Sequence, residues 1–146
     1  MDERLRVVAA VINPPAYFAD STNSIAVRPG SKYRLEYILG ILNSRLTQWR
    51  FKLTSTNNNV GTNELESLPF RTIDLNNADD KLRHDKIARS AEQMSATKKV
   101  LGAVKSEKDT SYYKSKCGAL ERQIDGLVYE LYGLTDKEIT LVESTE

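Results

Sequence analysis

The chain has 146 residues, a length that suits one domain or a small domain with a helical extension. Its apolar share and seven tyrosines allow a packed core and exclude global disorder. No apolar run approaches the roughly 18 residues of a membrane span, residues 1–12 lack a signal peptide's layout, and the single cysteine excludes a disulfide framework and fits a reducing cytoplasm.

Arg4 to Ile12 is β-branched and aliphatic and predicts a strand, stopped by Asn13, Pro14 and Pro15. Short extended pieces are expected at Ala16–Ala19 and Ser24–Arg28, ended by Pro29-Gly30. A single long helix is predicted from about Tyr33 to Leu53. Its buried stripe is Leu35, Ile38, Leu39, Leu42, Leu46 and Trp49, with Arg34, Glu36, Arg45, Arg50 and Lys52 outside. The polar tract of residues 54–62, TSTNNNVGT, reads as a loop. Thr62 or Asn63 is expected to cap one helical turn carrying Leu65 and Leu68, closed by Pro69, and Phe70 to Ile73 reads as an extended exit.

Beyond a linker at Asp74–Ala78, the pattern turns helical. Ile87, Ala91, Met94, Leu101 and Val104 mark one face of a helix from about Asp79 to Lys105. Residues 105–111 carry no apolar side chain and are expected to turn. Tyr113, Cys117, Leu120, Ile124, Leu127 and Leu131 then recur at spacings of four and three, the seam of a helix returning antiparallel. The hairpin so formed would be about 40 Å long at 1.5 Å rise per residue. Gly133 supplies a left-handed helix end followed by Leu134, and Thr135 with Glu138 has capping-box spacing for a short terminal helix.

The chemistry-bearing residues do not assemble a catalytic constellation. Asn13-Pro14-Pro15-Ala16-Tyr17 approaches the Asn-Pro-Pro-Tyr motif of adenine methyltransferases. Ala16 displaces the ring that would stack on a flipped base, and no Gly-rich cofactor loop follows a strand. A methyltransferase fragment built on these residues therefore fails unless the chain binds S-adenosylmethionine. Asp79, Asp80 and Asp85 sit at a helix start, where acids favour the dipole. His84 is the sole histidine and is expected exposed on its helix, whereas Cys117 lies on an apolar seam and is expected to pack there. No catalytic, cofactor-binding or metal-binding residue is assigned.

Cations are more suggestive. Residues 1–52 hold eight Lys/Arg against four Asp/Glu, while the remainder holds thirteen against sixteen, which suits a nucleic-acid face carried on a support. Arg28, Lys32 and Arg34 flank the Pro-Gly turn. Arg50 and Lys52 end the first helix and feed Thr54, Ser55, Asn57, Asn58 and Asn59. Lys and Arg supply phosphate affinity, and Asn, Ser and Thr can bond base edges or phosphate oxygens.

Three blocks carry a resemblance. YILGILNSRLTQWRFK (residues 37–52) resembles the "LLNS" helix of type IIG restriction enzymes and type I specificity subunits. VGTNELESLPFRTID (residues 60–74) is similar to the segment of that family ending in "LEKLPIPKID". Residues 80–143, closing on IDGLVYELYGLTDKEITLVE, are similar to the terminal helices of enzymes that fuse an adenine methyltransferase to a specificity domain. The resemblance implies a TaqI-like carboxy-terminal specificity (target recognition) domain. It implies structural roles for Leu42, Asn43, Ser44, Leu68 and Pro69, and an approach to nucleic acid through the loop between Leu53 and Asn63. Such domains carry more sheet than 36 leading residues supply, so a larger polypeptide is expected.

The expected fold is therefore α+β: a small antiparallel sheet packed with one long helix, then a long antiparallel helical hairpin and a short carboxy-terminal helix. Residues 1–76 are expected to form the end of a DNA target recognition domain, and residues 77–146 a spacer and docking hairpin. The expected function is sequence-specific recognition of double-stranded DNA within a restriction–modification enzyme. It would position an adenine-N6 methyltransferase, and in some arrangements a nuclease, that lies in another part of the polypeptide or on a partner chain. The chain itself is expected not to be an enzyme and to hold no cofactor. S-adenosylmethionine and Mg would belong to the missing catalytic domains, and no membrane partner is expected. The alternative is a protein–protein adaptor working through the hairpin.

Overall fold

The computed structural model describes residues 6–19, 22–55 and 60–144. Among them are six helices and no strand. The expected α+β fold with an antiparallel sheet is thereby corrected to an all-helical one.

The longest elements start where side chains satisfy free N–H groups. Asn77 accepts from the N–H groups of Asp79 and Asp80 to open α4 (Ala78–Ala103), and Ser106 accepts from Asp109 N–H to open α5 (Glu107–Tyr132). Only residues 104–106 connect them, so the turn expected over residues 105–111 is shorter. A capping serine with acids at 107 and 109 starts the helix despite the lack of apolar residues. The two helices pack lengthwise through Ile87, Ala88, Met94, Cys117, Leu120, Ile124 and Val128. Gly133, at φ 66°, ends α5 in the left-handed region. Thr135 and Glu138 then close a reciprocal cap, with Thr135 N–H donating to Glu138 Oε2 at 2.7 Å and Glu138 N–H to Thr135 Oγ1 at 3.4 Å. Helix α6 (Asp136–Ser144) begins there.

The helix expected from Tyr33 to Leu53 is two helices, α1 (Leu35–Leu42) and α2 (Arg45–Thr54). Ser44 stands between them in an extended conformation. Its hydroxyl donates to the Ile41 carbonyl at 2.7 Å and accepts from Thr47 N–H at 3.3 Å, ending one helix and capping the next. The remaining single turn, α3 (Thr62–Glu66), is capped at Gly61, one residue before the expected start.

Helix α1 lies on α4 at close range. A Cβ on Gly40 would stand 2.6 Å from Ile87 Cγ2, so only a residue without a side chain fits there. Tyr37 and Ile41 of α1 join Ile73, Ile87, Ile124 and Leu131 in one cluster, so the main core draws on both sides of position 76. The Tyr37 hydroxyl is buried with no hydrogen-bond partner among the described residues, and burial pushes its pKa up. A smaller cluster of Val7, Leu42 and Phe51, covered by Val60, Leu65 and Leu68, underlies α3.

The residues expected to form strands do not pair. Arg4 and Leu5 lie outside the described residues. Val7 N–H donates to Gln48 Oε1 at 2.8 Å, and Ala9 is bonded by Asn43, so side chains of α2 and of the α1–α2 break supply what a neighbouring strand would. The pieces at residues 16–19 and 24–28 have no strand assignment, and both are almost wholly exposed. The exit at residues 69–73 is held the same way. The Tyr132 hydroxyl donates to the Pro69 carbonyl and accepts from Arg71 N–H, while the Tyr33 hydroxyl donates to the Ile73 carbonyl and accepts from Ile73 N–H. No helix among the described residues is long and apolar enough to cross a membrane.

Candidate nucleic-acid interface

The break at Ser44 sets the direction of α2 independently of α1, and α2 delivers Arg50, Lys52 and Thr54 to the edge of the polar loop. Arg50 and Lys52 are half-buried through their stems, and neither forms an ion pair among the described residues. Thr54 is exposed, its hydroxyl donating back to the Arg50 carbonyl at 3.2 Å. Asn57, Asn58 and Asn59 lie outside the described residues.

One carboxylate fastens both ends of that loop. Glu64 Oε1 accepts from the Ser55 hydroxyl at 3.0 Å, and Glu64 Oε2 accepts from Gly61 N–H at 2.7 Å. Ser55, only 8% exposed, is therefore engaged within the protein. Asn23 adds a second tie, its amide nitrogen donating to the Val60 carbonyl and its amide oxygen accepting from the Thr62 hydroxyl at 3.2 Å. Sequence reasoning missed Glu64. Its signal is a glutamate three residues after a cap position, half of a capping box.

The other expected contact residues sit apart, ahead of α1. Arg28 is exposed at the turn closed by Ser31 N–H on the Arg28 carbonyl, with Gly30 at φ 81°. Lys32 Nζ donates to Asn76 Oδ1 at 2.8 Å. Arg34 lies between Glu36 at 3.4 Å and Glu92 at 3.3 Å, which offsets its charge. Its backbone N–H donates to His84 Nε2 at 3.1 Å.

His84 is not the exposed residue expected: it is 2% exposed, wedged against Tyr33 and Tyr37. Because Nε2 accepts from Arg34, the ring proton sits on Nδ1, which faces Asp85 Oδ1 at 2.9 Å. The Lys81 ammonium and the His84 ring both bond Asp85 and hold its carboxyl below the usual range. Cys117 is buried on the seam.

Beside Arg50, a groove of about 200 Å³ opens between α2 and the segment after α3. Trp49, Phe70, Tyr132 and Leu134 give it an apolar wall. On the α5 side of α2, Asp125 Oδ1 accepts from Arg45 N–H at 2.8 Å, capping the start of α2. Burial raises the Asp125 carboxyl, with the Arg45 contacts opposing it. The arrangement sets two cations without ion-pair partners among the described residues beside the base of a fastened loop, which suits anion contact.

Neither a protein-family model, a curated protein nor a solved structure matches the chain.

Proposed function

We propose that the chain is the DNA-recognition end of a restriction–modification enzyme. It binds double-stranded DNA through the end of α2 and the loop that follows, and it positions an adenine-N6 methyltransferase carried elsewhere in the polypeptide or on a partner. The observation that carries this reading is the pair Arg50 and Lys52, without ion-pair partners among the described residues, beside an asparagine-rich loop fastened at its base by Glu64. The three sequence blocks resembling type IIG and type I specificity regions support it. Lysine and arginine hold phosphates, and the loop amides read base edges. Methyl-donor and Mg chemistry belong to domains outside these residues.

The test is selection of bound duplexes from a randomised pool. Binding should weaken steeply with salt. Replacing Arg50 and Lys52 by glutamine should lower affinity for every sequence, and replacing Asn57, Asn58 and Asn59 should change the selected sequence. Salt-insensitive retention, or an unchanged preference after both sets of substitutions, would remove the reading.

A protein–protein adaptor is the second reading. Its support is Leu82 and Val100 of α4, both exposed and about five turns apart on one face. An adaptor would show no salt-dependent binding to duplex DNA.

A further inference from the structure

The charge of the chain is segregated along the hairpin. Residues 98–116, at the tip where α4 meets α5, carry Lys98, Lys99, Lys105, Lys108, Lys114 and Lys116 against only Glu107 and Asp109. Those two acids occupy the first turn of α5, where they complement its exposed N–H groups. Residues 117–144 reverse the balance, with two cations against six acids. At the tip, only Lys98 forms an ion pair among the described residues, with Glu121 at 3.9 Å. The six lysines are exposed.

On α5 the cations form a stripe. Lys108, Tyr112 and Lys116 follow at intervals of four, so they lie along one face over about 12 Å. Tyr112 is 62% exposed, its ring set edge-on to Tyr113 with centroids 5.1 Å apart. Lys105 stands in the connection itself and Lys99 in the last turns of α4, both exposed.

The geometry points to a second nucleic-acid contact at this tip: a sequence-independent clamp on the phosphate backbone of duplex DNA, separate from the loop after α2. The choice of duplex DNA rests on the recognition reading above; the charged surface does not. The chemistry selects this partner over others. All six cations are lysines, flexible point charges that meet phosphates without the fixed geometry of a guanidinium fork. Lysine is depleted at protein–protein interfaces. A helix lying in a membrane surface needs a broad aliphatic face, whereas this stripe offers aspartate, threonine, serine and tyrosine between its lysines. Duplex DNA presents one charge per roughly 1.7 Å of axis, so a stripe of this length meets several phosphates in any register.

The experiment uses the full chain and a random-sequence duplex of about 25 base pairs, longer than the hairpin at 3.4 Å per pair. Three proteins are compared: wild type, the tip variant Lys99→Gln/Lys108→Gln/Lys116→Gln, and the α2 variant Arg50→Gln/Lys52→Gln. Dissociation constants are read against salt, and circular dichroism confirms that the surface changes leave folding intact. The tip variant should bind about tenfold or more weakly at low salt, and its slope of log affinity against log salt should fall by about 2.7, at 0.9 per lost phosphate contact. An unchanged slope in the tip variant overturns the clamp, while a loss confined to the α2 variant leaves the recognition surface standing without it. A loss confined to the tip variant keeps the clamp and removes α2 as the contact. Binding of wild type to phosphatidylserine vesicles but not to duplex would overturn the clamp in favour of a membrane surface.

Discussion

The side-chain amide of Asn43 closes both hydrogen bonds of Ala9, thirty-four positions away: Ala9 N–H donates to Oδ1 at 3.0 Å, and Nδ2 donates to the Ala9 carbonyl at 2.9 Å. A primary amide has the donor and acceptor of a peptide group, so one side chain at the α1–α2 break imitates a neighbouring strand. Gln48 performs half of the same task for Val7. Asn43→Ala should therefore speed amide hydrogen exchange at Ala9 by about fivefold, the worth of one net hydrogen bond near 1 kcal/mol. Gln48→Ala should do so at Val7, and each should leave the other amide unchanged. Equal acceleration at both sites would mean that the segment detaches as a unit.

Gly40 and Ile87 mark a close approach of α1 to α4. Gly40→Ala should cost about 1–3 kcal/mol through overpacking, read as a drop in the denaturation midpoint. Leucine at 87 lacks the β-branch methyl that faces Gly40, so Gly40→Ala with Ile87→Leu should lose less than the two single changes together. Additive losses would move the cost of the alanine to another neighbour.

Glu64 joins the two ends of the loop. Glu64→Ala removes the carboxylate that accepts from both the Ser55 hydroxyl and the Gly61 N–H and should cost about 1–3 kcal/mol, with faster proteolysis within residues 55–61. Glu64→Gln keeps an oxygen to accept from Gly61 N–H and its amide NH2 can donate to Ser55 Oγ, so it should recover most of the loss. Equal sensitivity of the two variants would show that charge, not hydrogen bonding, holds the loop.

Asp125 is raised above its ordinary 3.8, first by burial. A carboxyl whose folded pKa exceeds its unfolded one binds more protons when folded. Its contribution is then fully present below about 3.8 and is lost as pH rises through the raised value. The amide introduced by Asp125→Asn keeps an acceptor for Arg45 N–H and never ionises. The variant should thus melt higher than wild type at pH 7, with the difference shrinking towards zero below about pH 3.8. A difference independent of pH would place the effect outside this ionisation.

The legible part of the fold is the part written in period. The seam from Cys117 to Leu131, the Gly133 stop and the Thr135–Glu138 cap each depend on neighbours within one or two turns, and each forms as expected. The single helix over Tyr33–Leu53 failed because Leu42, Leu46 and Trp49 keep helical spacing across the break. A serine hydroxyl reversing its role between two helices leaves no mark on the apolar stripe. The sheet failed because a β-branched run reports only a fit to a pleated, half-buried surface. Here that surface is supplied by Gln48 and Asn43. At the site, the position of Arg50 and Lys52 at the end of a helix, next to the polar tract, was within reach of sequence reasoning. The neutralisation of Arg34 by Glu92 and the burial of His84 under Tyr33 and Tyr37 were not, because their partners lie about fifty positions away.

Because Tyr37 and Ile41 share a core with Ile87 and Ile124, residues 1–76 cannot be traded as a free cassette. A chimera that keeps this hairpin but imports its first 76 residues from another protein brings a foreign wall against α4. It will seat only if the donor has glycine where Gly40 stands, or if the crossover carries the residue at 87 along with it. Seated, such a chimera would hold the loop after α2 and the lysine tip at the parent spacing, as a set square does.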